Sequence, residues 1–143
     1  MTDTTAETVT YKAVDPTDGV TLAQTVTVTF SPPADPQHSF ISVSSPTIPA
    51  DKTTTATVTM TFETSSGAPA AGKEVELILA GTGSLKVDGG VDGITDANGE
   101  VTYTVIGYLA GTKTLHAVDH SDAWLQGHVT VSVQTRAVQL TIG

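Results

Sequence analysis

Short runs in which every second residue is apolar recur along the chain, separated by clusters of Gly, Pro, Asp, Asn and Ser. Val26, Val28 and Phe30 alternate with threonines, as do Ala56, Val58, Met60 and Phe62. Val75, Leu77 and Leu79 follow, then Val101, Tyr103 and Val105, and finally Val129, Val131 and Val133. A period of two sends alternate side chains to opposite faces, so each run predicts an antiparallel strand with one face on a core and one in water. The intervening segments SSGAPAAG (65–72), VDGGVDG (87–93), DANG (96–99) and GYLAGT (107–112) are rich in residues that accept turn dihedrals. Short strands at this spacing predict an all-β, antiparallel β-sandwich.

Composition supports that pattern. The chain has 27 threonines and many valines but only seven aromatics, and no stretch of ten or more residues carries a helical apolar period. Thr and Val suit a pleated, half-buried surface. With 143 residues there is room for one domain and an extension. No cysteine is present, so packing and strand pairing alone must hold the fold. Fifteen acidic against six basic residues give a net charge of -9, which repels phosphate backbones and argues against a nucleic-acid partner. The first ten residues, MTDTTAETVT, have neither a basic region nor an apolar run, so a signal peptide is not expected. No apolar run approaches the length of a membrane helix, so membrane insertion is not expected either.

The chain also echoes itself. TYKAVDPTD at residues 10–18 shares five of nine positions with TLHAVDHSD at 114–122. The second copy predicts a penultimate strand, joined by the loop SDAWLQG to a last strand HVTVSV. The first copy leads into QTVTVTF. Residues 8–31 therefore read as a β-hairpin equivalent to the last two strands of a sandwich whose other strands are missing. The expected organisation is an N-terminal extension over 1–40 and a sandwich over 41–143. A two-stranded hairpin is marginal in water, so this one needs a partner. On the alternative reading of the chain as a cut from a tandem array, the tail TRAVQLTIG would be the first strand of a following domain.

From Ser44 to Val133, about two-thirds of the chain, the order of features is SSPTIPADKTTTATVTMTF, GAPAAGKEVELIL, GTGSL, TDANGEVTYTV, LAGTKTLHAV and HVTVSV. This order resembles the bacterial Ig-like domains of the invasin and intimin type, the Big-1 group. The turn Gly67–Gly72 and the TDANG turn carry the resemblance together. It implies an Ig-like β-sandwich serving as a spacer or binding module in surface adhesins, a type of domain also similar to those on tailed-phage virions.

Candidate chemistry is sparse. VDGGVDGITDANGE brings Asp88, Asp92, Asp96, Asn98 and Glu100 close in sequence, as a calcium loop would, but the EF-hand spacing is not met. Turn chemistry accounts for it, with Asn98-Gly99 a strong hairpin signal. His116, His120 and His128 lie close in sequence; His116 is expected on the solvent face between inward Leu115 and Ala117, and His120 in a loop. No Gly-x-Ser-x-Gly elbow occurs, and nothing pins a nucleophile to a base. The expectation is a protein without catalytic residues, metal or cofactor.

Function then rests on contact surfaces. The candidates are the hairpin's apolar face, Val26, Val28 and Phe30, and a loop-borne aromatic anchor, Trp124 with Leu125. The sequence reading is a virion decoration protein on a capsid or tail surface, docking through its N-terminal segment with the sandwich projecting outward. Its partners are other virion structural proteins or copies of itself, with a host cell surface as a further partner. The alternative is a fragment of a tandem Ig-like bacterial surface adhesin.

Overall fold

Alternation becomes strand wherever Thr and Val can place one face against apolar neighbours. The computed structural model describes residues 7–30, 32–126 and 129–143; within these, the side chains of residues 7, 15, 22, 24, 28–30, 122–126 and 129–133 are outside the description. The described residues contain no helix. Two units are distinguished, Met1–Pro33 and Ala34–Gly143.

In the first unit β1 (Glu7–Asp15) and β2 (Val20–Phe30) form a two-stranded antiparallel sheet. Gly19, at φ +68°, completes the turn between them. The register sets Val9 opposite Val28 and Tyr11 opposite Val26, while Thr8 faces Thr29 and Thr10 faces Thr27. Residues directly opposite share a face, so this part of the ribbon pairs apolar with apolar and hydroxyl with hydroxyl positions; beyond Lys12 the register shifts, and Val14 lies opposite Thr21 and Asp15 opposite Val20.

The second unit is a two-layer sandwich. One sheet joins β3 (Phe40–Val43), β5 (Thr55–Thr61), β9 (Glu100–Leu109) and β7 (Ser84–Asp88) in the order β3-β5-β9-β7, all antiparallel. The other runs β4 (Thr47–Ile48), β12 (Val138–Ile142), β10 (Gly111–Gln126), β6 (Glu74–Gly81), β8 (Asp92–Ile94), with β11 (Val129–Gln134) also on β10. The first strand of the sandwich changes sheets at Ser45-Pro46, and β4 then pairs in parallel with β12, Thr47 opposite Thr141 and Ile48 opposite Ile142. The other strand pairs in both sheets are antiparallel.

The core is the set of inward positions that the alternation marks. Ala56, Val58, Met60 and Phe62 on and just after β5, and Tyr103 and Val105 on β9, face Val75, Leu77, Leu115, Ala117, Leu140 and Ile142 of the other sheet, all buried. Each fully buried Val, Leu, Ile, Met or Phe side chain contributes about 1.5–3 kcal/mol. The intervening Thr55 and Thr57 are exposed.

Four sequence expectations change. The tail is part of this sandwich: Leu140 and Ile142 are 0% and 1% exposed, and β12 pairs with β10 from Gly111 to Leu115. It is therefore not the start of a following domain, and its alternating Val138, Leu140 and Ile142 are buried or half-buried. The segment SDAWLQG is not a loop as far as Gln126, because β10 continues through it. His120 correspondingly lies in a strand. Asn98-Gly99 does not close a hairpin, since β8 and β9 belong to different sheets and the turn crosses the sandwich end.

That corner explains why the two motif turns go together. Gly99 has φ +74°, and a Cβ there would lie 2.3 Å from the Phe62 carbonyl oxygen and 3.0 Å from the Ala70 nitrogen. The Phe62 N–H donates to Gly99 O at 2.8 Å, and the Ala70 N–H donates to Phe62 O at 2.9 Å. Buried Thr95 completes the stitch: its hydroxyl donates to Ala70 O at 2.7 Å and accepts from the Lys73 N–H at 2.8 Å. The DANG turn and the Gly67–Gly72 turn are thus held against one another by backbone, and only glycine permits that distance at residue 99.

Candidate interaction surfaces

Two ribbons of the described residues stand out as candidate surfaces. The first is β1–β2, where Val26 is 63%, Val20 56% and Val14 58% exposed and Tyr11 38%. The echo gives these values meaning. Leu115 and Ala117, which occupy in the second copy the places of Tyr11 and Ala13, are both 0% exposed beneath the opposite sheet, whereas Tyr11 and Ala13 are exposed. Within its own unit the hairpin shows to the outside the face that the same sequence buries in the sandwich.

The second ribbon is the outer part of β10 with β11. Pairing with β6 ends at Asp119 opposite Val75, beyond which β10 is paired in the ladder only with β11 among the described residues. Between Asp119 and Trp124 the strand advances five residues while β11 advances two, from Val133 to Val131. Extra residues on one strand bend it and increase its twist. Ser121 holds the departure point, its hydroxyl accepting from the Glu74 N–H at 2.6 Å and its own N–H donating to Asp119 Oδ1 at 2.8 Å.

Of the residues singled out from sequence, Val26 is exposed on the apolar side of the hairpin. Val28 and Phe30 pair along the same strand with Val9 and Glu7. Trp124 and Leu125 pair through their backbones with Val131 and Thr130. The side chains of these four lie outside the described residues. The structure therefore assigns Val26, Val28 and Phe30 to one ribbon and Trp124 and Leu125 to the other.

The acidic stretch 88–100 is divided among elements. Asp88 ends β7, Asp92 begins β8, and Asp96 caps its own turn, accepting from the N–H groups of Asn98 at 2.8 Å and Glu100 at 3.0 Å. Those two donors, Glu100's first, hold the Asp96 carboxyl below its ordinary value. Asp51 is lowered in the same way, chiefly by the Thr54 hydroxyl at 2.5 Å and then by the Thr54 N–H at 2.7 Å. Among the described residues no three His, Asp or Glu side chains converge to hold a metal. His116 is half-buried between fully buried Leu115 and Ala117, and His128 lies outside the described residues.

One surface feature has no signal in the sequence. Glu74, Val75, Asp92, Gly93, Ile94 and His120 line an open cleft of about 380 Å³ at the β8 edge. His120 Nε2 lies 2.9 Å from Glu76 Oε2, and Ile94 is 66% exposed. Its lining suits a cationic or apolar side chain. Register creates it by bringing β6, β8 and β10 side by side, residues that are distant in the chain.

The two facing sheets with their sheet-switching first strand define an Ig-like β-sandwich. Comparison with solved structures makes the fold specific: it is that of the Ig-like domains of intimin and invasin. The D00-D0 domain of intimin superposes with a TM-score of 0.52 at 21% identity over 93% of this chain and 63% of that one. Invasin, described as a bacterial integrin-binding protein, gives 0.54 at 20% identity over 94% of this chain and 25% of that one. A C-terminal 282-residue fragment of intimin, solved with the intimin-binding domain of the translocated intimin receptor, gives 0.52 at 20% identity over 71% of this chain and 31% of that one. The chain thus spans less than two thirds of each of these structures. No family model and no curated protein matches it.

Proposed function

We propose that the chain is a non-enzymatic Ig-like module of a bacterial surface adhesin, acting in a tandem array as a spacer and protein-binding unit outside the cell. One observation carries this reading. The match to the D00-D0 domain of intimin covers 93% of the chain, about 133 residues, whereas the sandwich unit Ala34–Gly143 has 110, so the match takes in part of the hairpin unit. The echo of residues 114–122 in residues 10–18 supports it from the sequence side.

The sequence reading put a virion surface first. The similar structures favour the cell surface instead: one intimin fragment was solved with a receptor domain, and invasin is described as integrin-binding. A protein partner is accordingly the expected ligand, met by the hairpin side bearing Val26, Val28 and Phe30 or by the outer ribbon bearing Trp124 and Leu125. Antibodies raised against residues 34–143 test the placement by electron microscopy of intact producing cells and of phage particles. Labelling of the outer cell surface is expected. Labelling confined to virions overturns the reading.

A further inference from the structure

We propose that copies of this chain join head to tail by strand addition, the outer edge of β2 in one copy pairing with the outer edge of β11 in the next. The inference concerns the chain itself and holds wherever the module is displayed.

Each ribbon has two edges, and in each ribbon the two differ in the same way. Among the described residues β2 pairs only with β1, and β11 only with β10. In the hairpin, β1 carries Glu7, Lys12 and Asp15, while β2, VTLAQTVTVTF, carries no charge over 11 residues. In the outer ribbon, the part of β10 beyond its pairing with β6, HSDAWLQ, carries His120 and Asp122, while β11, VTVSVQ, carries neither an acidic nor a basic residue over 6. Charged side chains are a means by which natural sheets protect their edges from pairing with other chains. Here one edge of each ribbon is protected and the other is not, in a chain whose net charge of -9 otherwise keeps copies apart.

The two unprotected edges also match each other. Over residues 25–29 of β2 and 129–133 of β11 the sequences alternate Val with Thr or Ser, the pattern with which paired strands match like positions across a junction. A two-stranded ribbon is marginal alone, and three or more strands with an apolar face are needed for independent stability. Joining the two ribbons makes a four-stranded sheet in the order β10-β11-β2-β1, with a charged strand at each outer edge. Because the edges are different surfaces, the contact is heterologous and propagates as a ring or filament.

The test uses sedimentation velocity on the full chain and on two variants, Thr27→Lys in β2 and Thr130→Lys in β11, each placing a charge on one edge. The wild type is expected to associate with increasing concentration, and each variant to associate about tenfold or more weakly. An equimolar mixture of the two variants is expected to form dimers and nothing larger, because only one compatible pair of edges remains. Amide exchange in residues 55–61 confirms that each variant keeps its sandwich. A monomeric wild type at its highest soluble concentration overturns the proposal. So does self-association of Thr130→Lys alone, which indicates a two-fold β2–β2 contact, or undiminished association of both variants, which places the contact elsewhere.

Discussion

Replacing Gly99 by alanine tests the corner that joins the two motif turns. Residue 99 sits at φ +74°, a region that costs an L side chain about 1–2 kcal/mol. The new Cβ also meets the Phe62 carbonyl oxygen at 2.3 Å, and bringing that contact to an ordinary 3.4 Å requires the backbone of the two turns to separate by about 1 Å. That separation stretches the Phe62 N–H to Gly99 O bond from 2.8 Å, and losing such a buried bond costs about 1–3 kcal/mol. The expected loss is therefore about 3 kcal/mol. Gly72 supplies the control: its φ is +73°, but nothing lies within 4 Å of the Cβ position, so Gly72→Ala should cost the backbone strain alone, about 1–2 kcal/mol. Urea unfolding followed by circular dichroism gives both values from the midpoints if the slopes agree. Equal losses for the two variants would refute the argument, since they share backbone conformation and differ only in what the methyl group meets.

Two further outcomes follow from burial. Leu115→Ala removes a fully buried side chain and should cost about 2–5 kcal/mol, whereas Val26→Ala, at a residue 63% exposed, should stay within about 0.5 kcal/mol in the same urea titration. Tyr103 is pushed up to about 12 by burial and then by the Asp92 carboxylate, and its hydroxyl has no hydrogen-bond partner among the described residues. The folded state thus favours the neutral phenol, so its contribution is intact below pH 10, the ordinary tyrosine value, and is lost as pH rises from 10 toward 12. Alkaline unfolding should show that decline. Tyr103→Phe should abolish it and leave the neutral-pH stability unchanged or raised by about 1 kcal/mol.

The strands were legible where burial is one-sided. The alternation at 56–62, 75–79 and 101–105 marks inward residues that the structure buries or half-buries, because a period of two and a single apolar face leave little freedom of register. Pairing partners were less legible. Val138–Ile142 has the alternation of any other strand, and only its pairing with β10 and β4 shows which core it serves. Residues 121–126 contain Ser, Asp and Gln, which suggest a loop, yet β11 opposite them supplies a ladder. Asn98-Gly99 suggested a hairpin from local dihedral preference, whereas the need at Gly99 is contact with Phe62 and Ala70, residues about thirty or more positions away. Of the candidate surfaces, alternation marks Val26 as an apolar strand position but not its 63% exposure, and the cleft at Ile94 and His120 had no signal, since it exists only once three strands are aligned.

The parallel pairing of β4 with β12 has a mechanical meaning. β4 lies near the start of the sandwich and β12 at its end, and they run in the same direction. Tension applied through the two ends of the domain therefore slides one strand along the other. Three backbone bonds oppose that sliding: Thr141 N–H to Pro46 O at 2.9 Å, Gly143 N–H to Ile48 O at 2.9 Å and Ala50 N–H to Gly143 O at 2.8 Å. Loaded in shear, they share the force and must rupture together, whereas an antiparallel pair opened from one end would release its bonds one by one. A pull in line through the two ends of the sandwich would load that seam in shear.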